Sequence, residues 1–326
     1  MSPRQEFREN RNVRRLLGAP FMRRCLTLFA LALTVPLCAD QTDYAIGNVS
    51  APWLNVEASP RAAALGGQAP SMNGDTLIAL QDNPAGLAGL GSKEGQVALA
   101  QNNWVQSTSL QQVAVGYGLG PAGGLGLGFT YMNYGSLDRY VVLPGGGVAQ
   151  NGSFNPYGYA LKLGYGLDLG YGISVGVEGK YLGENLDSDS ASTLSGDLGV
   201  RYTWESLSVG LSGSDLFGSL YDSSLPAEIK LGADYGVDLS KGTLKLLAGT
   251  AIPTVDDGAT SYGGGLEYGY AQLFWGRLGY QAQSNASTGG ISAGFGVKYR
   301  QVSLDYAFVS LGDLGSSNQF ALAATF

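Results

Sequence analysis

Polar and apolar residues alternate along most of the chain from Gln96 to the C-terminus. The stretch 172–181 has the sequence GISVGVEGKY, and the stretch 291–300 has the sequence ISAGFGVKYR. A period of two places alternate side chains on opposite faces of a β-strand. The pattern therefore predicts a protein built mainly from strands that have one apolar face and one polar or glycine-rich face.

Fourteen segments carry this alternation, and most of them are about ten residues long. That is the length a tilted strand needs to cross a bilayer, and an even number is typical of bacterial single-chain barrels. We therefore predict an all-β fold, a transmembrane antiparallel β-barrel of about 14 strands, over residues 96–326. The predicted strands are 96–104, 110–119, 124–134, 157–167, 172–182, 194–204, 207–215, 227–238, 243–252, 261–271, 273–283, 291–300, 302–311 and 318–326.

The connections between these strands alternate in length, which is a second sign of an outer-membrane barrel. Long extracellular loops and short periplasmic turns are typical of such barrels. The first outer connection, 105–109, is the weak case because it has only five residues. The predicted long connections are 135–156, 183–193, 216–226, 253–260, 284–290 and 312–317. The predicted short ones are 120–123, 168–171, 205–206, 239–242, 272 and 301.

The cost of burying charge decides which strand face meets lipid. A basic side chain such as Lys180 or Arg201 costs about 2–4 kcal/mol at mid-bilayer on the lipid face. The apolar face must therefore point outward, and strand-end aromatic residues such as Tyr134 and Trp204 are expected in interfacial girdles. A secreted soluble β-sandwich or propeller is the alternative. It predicts no asymmetry between loops, and no regular repeat period is evident.

The N-terminus has the layout of a secretory signal peptide. Arg23 and Arg24 precede the apolar run 25–37, which is too short to span a bilayer, and Ala39 is the expected last residue before cleavage. We therefore predict a signal peptide over residues 1–39, with Met22 as an alternative start. A lipoprotein, modified at Cys38, is the other interpretation.

Composition limits the chemistry open to the mature chain. The two cysteines, Cys25 and Cys38, lie in the predicted signal peptide, and the sequence has no histidine. Cysteine–histidine and Ser-His-Asp catalysis, disulfides and histidine-ligated metals are therefore excluded. We expect no enzyme, no catalytic residue, no metal site and no cofactor.

The charge balance of the mature chain is strongly acidic. Residues 1–39 hold 7 of the 19 Lys and Arg and 2 of the 26 Asp and Glu, which leaves 12 basic against 24 acidic side chains and a net charge of −12. This argues against nucleic acid as a partner. An acidic surface suits outer-membrane lipid and divalent-cation-bridged lipopolysaccharide, although solubility alone would also explain it.

Three further features have an ordinary structural interpretation or an assembly role. The match to GxGxxG at 118–123 leads into a strand rather than a helix, so we expect a tight turn there. The charged residues of both signs on the inner strand faces are expected to brace the wall or a plug. The final strand ends in Phe326, and a terminal aromatic residue on an alternating strand resembles the signal that the barrel-assembly machinery recognises.

The most distinctive stretch lies before the barrel. Residues 59–67 have the sequence SPRAAALGG, and residues 82–88 have the sequence DNPAGLA. Together they resemble the N-terminal signature of the PorV/PorQ family, a branch of the FadL-like barrels. The acidic doublet usual after the glycines is replaced by 71–75, SMNGD. The residues that carry the resemblance are Arg61, Gly66, Gly67, Asn83, Pro84, Ala85 and Gly86.

The resemblance implies an N-terminal irregular and helical hatch over residues 40–95, folded into a FadL-like barrel. We expect short helices at 75–80 and 84–90. PorV-type members serve type IX secretion through a translocon and cargo proteins, so our first hypothesis is secretion or surface presentation through protein contacts. The alternative is a FadL-like transporter of hydrophobic small molecules across the outer membrane. A further alternative is that the segment merely seals the periplasmic mouth of the barrel.

Overall fold

The structure, a computed structural model, describes residues 49–255, 259–283 and 286–326. The predicted signal peptide, its alternative start and both cysteines lie outside the described residues, as do the first residues of the predicted hatch. No helix in the described part of the chain is long and apolar enough to cross a membrane.

Strands make up most of the described chain. They are β1 (Gly95–Asn103), β2 (Ser109–Gly118), β3 (Gly124–Asn133), β4 (Leu137–Val142), β5 (Val148–Phe154), β6 (Tyr157–Gly170), β7 (Ile173–Leu186), β8 (Asp189–Trp204), β9 (Leu207–Ser214), β10 (Ser219–Leu220), β11 (Ser223–Ser224), β12 (Glu228–Leu239), β13 (Gly242–Pro253), β14 (Ser261–Tyr270), β15 (Phe274–Gln283), β16 (Ala286–Tyr299), β17 (Val302–Ser310) and β18 (Ser316–Thr325).

Fourteen of these strands form one closed antiparallel barrel, as predicted. Neighbours along the chain pair with each other, and β1 pairs with β18 from Gln96 opposite Thr325 to Asn103 opposite Asn318. Closure pairs the first strand with the last and removes the open edges that lipid could not satisfy. The hairpins β4–β5 and β10–β11 stand apart from the barrel in the connections after β3 and β9.

The apolar face of each strand points outward and the charged face points into the lumen, as the cost of burying charge requires. On β6, Leu163 on the outer face is 60% exposed, whereas Lys162 on the inner face is 2% exposed. The same contrast separates Val177 from Glu178 on β7. The outward apolar belt and the polar, glycine-rich lumen are therefore confirmed.

Three expectations at the outer rim are wrong, one of them the long connection 284–290, because β16 already begins at Ala286. Strands β7 and β8 continue to Leu186 and Asp189 and leave only a two-residue turn where a loop over 183–193 was predicted. Hydrophobic alternation stops where a strand leaves the bilayer, but the hydrogen-bond ladder can continue in water. Tyr134 is not a girdle residue, because its hydroxyl donates to Glu184 Oε1 at 2.9 Å inside the outer mouth.

Residues 49–94, here called the N-terminal segment, contain four short helices. Each of the last three begins at a residue whose side chain caps it: Ser59, Asp75 and Asn83 accept hydrogen bonds from main-chain N–H groups one turn ahead. The helices are the 3₁₀ turn Pro52–Asn55, α1 (Pro60–Ala63), α2 (Thr76–Ala79) and the 3₁₀ turn Pro84–Gly89. The last two lie where short helices were predicted. Two further 3₁₀ turns, Gly120–Ala122 and Gly312–Leu314, belong to barrel connections.

Candidate functional site in the barrel lumen

The N-terminal segment runs through the lumen from the outer rim to the inner rim. At its start, the Ser50 hydroxyl donates to the carbonyl of Ser223 in an outer connection. At its end, the Lys93 N–H donates to the carbonyl of Gly118 at the inner rim. Most residues between these points are buried. The barrel is therefore filled along its length by its own chain.

Glycines on the inner wall make room for this segment. A Cβ added to Gly176 would lie 2.2 Å from the main chain of Pro84 and Ala85, and one added to Gly210 would lie 2.0 Å from the Pro70 carbonyl oxygen. No side chain fits at such distances. The wall glycines whose added Cβ would lie within 3.0 Å of main-chain atoms of the segment are Gly118, Gly124, Gly166, Gly176, Gly210, Gly249, Gly263, Gly265 and Gly279. Others meet side chains of the segment instead: Gly116, Gly126, Gly158, Gly164, Gly199, Gly232 and Gly294. The high glycine content is thus explained in part by a wall that accommodates backbone.

Arg61 ties α1 to the wall by a two-pronged ion pair. Its Nε and Nη2 donate to the two carboxylate oxygens of Glu267 at 2.9 and 2.7 Å. Arg277 donates to the same carboxylate at 2.7 Å and to Asp305 at 2.5 Å. The expectation that these inner charges brace a plug is met here by direct contacts.

Three cations of the wall bind the middle of the N-terminal segment. Lys162 Nζ donates to the Leu80 carbonyl at 2.9 Å, and Arg201 Nε donates to the Ser71 carbonyl at 2.5 Å. Lys230 Nζ lies 2.8 Å from Asp82 Oδ1. Main-chain carbonyls and one carboxylate therefore satisfy charges that would otherwise be buried without partners. Not every predicted brace contributes, since Lys298 is exposed.

The two halves of the motif contact different arcs of the wall. Gly66 has a φ of +93°, and a Cβ there would lie 2.6 Å from backbone atoms of β14 and β15. Gly67, which also has a positive φ, lies against the Gln281 side chain. Asn83 Nδ2 donates to the Pro70 carbonyl at 2.8 Å and to the Val200 carbonyl of β8 at 3.2 Å. The motif therefore places the main chain of the N-terminal segment against the main chain of the barrel wall.

Pro84, Ala85 and Gly86 continue this contact. Pro84 and Ala85 lie against Gly176 of β7, as described above, and a Cβ on Gly86 would lie 2.9 Å from the Met72 carbonyl oxygen within the segment itself. These residues position main chain, and none of them presents a reactive side chain.

An apolar cluster closes one side of the outer mouth. Trp53 is buried there, and its Nε1 donates to Glu184 Oε1 at 2.8 Å. Leu220 and Leu225, from the connection after β9, pack into the same cluster. Sequence reasoning did not single out these residues, because Trp53 lies in a segment without alternation and the two leucines lie in a predicted loop.

A cavity of about 240 Å³ lies on the other side of the outer mouth. The N-terminal segment contributes Glu57, Gln68 and Gln81, and the outer ends of β12 and β14 contribute Glu228, Lys230 and Ser261. Burial and the nearby Asp82 raise the pKa of Glu57 to about 8. Glu57 was missed from sequence, since nothing in its neighbours reveals that the barrel encloses it. No cluster of metal-ligating side chains exists within the described residues.

Phe326 closes the barrel seam. Its N–H donates to the Gly95 carbonyl at 2.9 Å, and the Gly95 N–H donates back to its carbonyl at 2.8 Å. The ring itself is 74% exposed. These contacts do not test the role of Phe326 in recognition by the barrel-assembly machinery, which stays a prediction.

Comparisons with known proteins identify the fold. The sequence matches no protein-family model and no curated protein. Solved structures match it over most of its length: the toluene transporter TbuX of Ralstonia pickettii has a TM-score of 0.57 at 13% identity, with 83% of this chain and 98% of that chain covered. The toluene transporter TodX of Pseudomonas putida has a TM-score of 0.57 at 11% identity, with 82% and 97% covered.

A third match is a FadL homologue of Pseudomonas aeruginosa, with a TM-score of 0.50 at 8% identity and with 82% and 98% of the two chains covered. The protein is an outer-membrane β-barrel. It has the fold of these FadL-like transporters. At these identities the likeness extends to the fold, and the contacts in the lumen are this chain's own.

Proposed function

We propose that this outer-membrane barrel lets hydrophobic small molecules cross the outer membrane, with the N-terminal segment acting as a hatch. The observation that carries the proposal is the path of that segment, which fills the lumen between the two rims. An open aqueous pore is incompatible with this filling. A solute that crosses the barrel must displace part of the segment.

The similar structures support the choice of solute. The proteins with this fold include TbuX and TodX, both toluene transporters, and a FadL homologue. Passage of hydrophobic small molecules was our alternative expectation from sequence. It has more support than the secretion hypothesis with which we began, because the three similar structures named above are transporters or a FadL homologue.

The contacts between the segment and the wall are suited to displacement. Within the described residues, several buried polar atoms of the inner wall have no hydrogen-bond partner, among them both carboxylate oxygens of Glu178, which lies near Leu80 and Leu87 of the segment. A buried polar atom without a partner costs about 1–3 kcal/mol. The arrangement with the N-terminal segment in the lumen is therefore less stable than one with all these atoms paired. A smaller free energy is then needed to move the segment.

A disulfide lock tests the hatch. The Cβ of Gln68 lies 2.9 Å from the position of a Cβ added to Gly249, so Gln68→Cys with Gly249→Cys needs only a small shift to reach the roughly 3.5–4.5 Å of a disulfide. Residues 39–326 contain no cysteine, so no other thiol competes. Uptake of radiolabelled toluene into vesicles that contain the protein should fall on oxidation and return on reduction.

The controls separate the two parts of the proposal. Each single cysteine variant supplies its own reference level of uptake, which should be the same under oxidising and reducing conditions. Wild-type vesicles that take up no more label than empty vesicles would overturn the transport proposal. Normal uptake by the oxidised double variant would show that this part of the segment does not move.

A PorV/PorQ-like role in type IX secretion is the second candidate, and one specific observation favours it. The hairpin β4–β5 stands beyond the barrel wall with Tyr140, Val142 and Val148 exposed, as a protein-binding element would. Purification in mild detergent from the native cell tests this idea. Recovery of a translocon or cargo with the wild type, but not with a variant lacking 138–153, would support it, whereas recovery of the barrel alone would not.

The exposed apolar belt also leads us to propose lipid and lipopolysaccharide as surroundings and the barrel-assembly machinery as the partner during insertion. The belt consists of outward residues such as Leu127, Leu163 and Leu278, each about half exposed in the isolated chain. Lipid contact would remove this apolar area from water.

A further inference from the structure

The cavity at the outer mouth has a layered lining. Its polar floor is formed by Glu57, Gln68, Glu228 and Lys230, among others. Its outer part is apolar: Val49, Pro52, Pro226, Pro253 and Val255. The register of β12 and β13 pairs Pro253 with Glu228 at the outermost position and places Lys230 two residues deeper, so the apolar and charged parts of the lining adjoin at Glu228. A molecule in this cavity therefore contacts the apolar residues and Glu228 at the outer end and Lys230 deeper in.

The floor has more negative than positive charge. Lys230 Nζ lies 2.8 Å from Asp82 Oδ1 and 3.2 Å from Glu228 Oε1, so its one positive charge is shared by two carboxylates. Glu57 adds a third. The next cation, Lys162, is bound to the Leu80 carbonyl and to Gln81 Oε1. One carboxylate therefore remains without a full counter-charge.

The floor also has more hydrogen-bond acceptors than donors. Gln68 is more than nine-tenths buried, and its Nε2 donates to Ser261 Oγ at 3.0 Å. Its Oε1 has no hydrogen-bond partner within the described residues. The Gln81 amide nitrogen is used as well, because it donates to the Leu54 carbonyl at 2.8 Å. What this floor lacks is a second donor that carries positive charge, besides Lys230.

We propose that this cavity binds a small organic cation with an apolar body, such as an aryl or alkyl amine or guanidine, cation first. The charged head would donate to Glu57, Glu228 and Gln68 Oε1, and the body would lie against the prolines and valines of the outer part. The proposal rests on the transport function proposed above and assigns this cavity to those hydrophobic solutes that also carry a cationic group. The volume of about 240 Å³ equals that of roughly eight waters, which limits the ligand to a small molecule.

Two other occupants fit less well. A divalent metal ion would need three or more carboxylates arranged around one point, and no such group occurs among the described side chains. A plain hydrocarbon would cover the charged floor without giving it a partner, at the cost of desolvating Glu57 and Glu228.

Calorimetry on the purified protein in detergent tests the proposal with two probes of similar size. Benzylguanidinium carries a permanent charge over the pH range used, and butylbenzene carries none. At pH 9, where Glu57 is ionised, we expect benzylguanidinium to bind at least about tenfold more tightly, and Glu57→Gln or Glu228→Gln to remove about that factor, as expected for a lost charge-assisted hydrogen bond. Glu205→Gln, at an exposed turn on the opposite rim, should change nothing.

The pH dependence gives a readout that needs no variant. Because burial and Asp82 raise the pKa of Glu57 to about 8, benzylguanidinium should bind more tightly at pH 9 than at pH 6. The groups facing Glu57 that also contribute are Lys230 and Lys162. Equal affinities for the two probes, an affinity independent of pH, or full binding by both cavity variants would each overturn the proposal. Since no transport is involved in calorimetry, failure of vesicle uptake would count against the transport function and leave this binding result standing.

Discussion

Arg61 and Glu267, 206 residues apart in the sequence, form a two-pronged ion pair that joins helix α1 to barrel strand β14. Glu267 is buried, and Arg61 is about three-quarters buried. Because Arg277 binds the same carboxylate, the contact is part of a network that fastens the N-terminal segment to the wall.

Replacement of Arg61 by methionine should destabilise the protein by about 1.5–3 kcal/mol, the range for hydrogen bonds to charged groups. The loss is limited because Arg277 still neutralises Glu267. Urea unfolding in detergent, followed by tryptophan fluorescence, measures this change. The matched control is Arg139→Met. It breaks the more exposed pair between Arg139 of β4 and Asp187 in the turn between β7 and β8, and it should cost well under about 1 kcal/mol. Equal effects would contradict the bracing role of Arg61.

Replacement of Gly176 by valine should displace the Asn83–Gly86 turn without opening the barrel. The added Cβ would lie 2.2 Å from the main chain of Pro84 and Ala85, which cannot give way as a flexible side chain can. Hydrogen exchange over 83–86 should become faster. Gly179→Val, three residues along the same strand with open space around it, is the control and should leave exchange unchanged. Unaltered exchange in both variants would show that the turn does not depend on this wall glycine.

Glu57 should make the folded state less stable as pH rises. Its pKa is about 8 in the folded protein, raised by burial and by Asp82, against an ordinary value near 4.5. The folded state therefore holds the proton more tightly than the unfolded state, so this contribution to stability is complete below about pH 4.5 and is lost as pH rises to 8.

The Glu57→Gln variant tests this slope. The wild type and the variant should differ least at pH 4 to 5, and the variant should gain stability relative to the wild type between pH 5 and pH 8. Urea unfolding across this range measures the difference, which also removes contributions from other titrating groups such as Asp75. A difference that is constant with pH would refute the assignment.

Loss of the Phe326 ring should reduce assembly into the outer membrane more than it reduces stability. The ring is exposed, and the main-chain hydrogen bonds with Gly95 do not require it. In Phe326→Ala the amount of folded, heat-modifiable barrel in the outer-membrane fraction should fall severalfold, while the protein refolded in detergent should unfold at the wild-type urea concentration. Phe320→Ala, on the outward face of the same strand, is the control. Normal assembly of Phe326→Ala would remove the proposed signal role.

The barrel could be predicted from sequence because its pattern is local. All fourteen predicted strands match observed strands, since bilayer burial forces apolar residues onto one face at a period of two. The outer hairpin of β7 and β8 was underestimated because its tip has polar residues on both faces, so the ladder leaves no mark in hydropathy. The prediction of Tyr134 in the interfacial girdle was wrong because its hydrogen-bond partner Glu184 lies 50 residues away in the sequence, across the outer mouth.

The lumen was harder to predict because its contacts are long-range. The motif of Arg61 and Asn83 could be found as a run of letters, but its partners Glu267 and Val200 are set by the closure of the barrel. Glu57 and Gln68 look like ordinary polar residues of an irregular segment. Only the enclosing wall gives the former a raised pKa and leaves the latter with an unpaired oxygen.

The pairing of β1 with β18 has a consequence for how the molecule is made. These strands are the most distant in sequence of all the paired barrel strands, so loop-closure entropy favours this pair forming last. The N-terminal segment must then already lie in the concave side of the curling sheet, because afterwards the wall surrounds it. The residues that occupy the lumen therefore precede the barrel strands in the chain, and the last strand pairing encloses the N-terminal segment within the barrel.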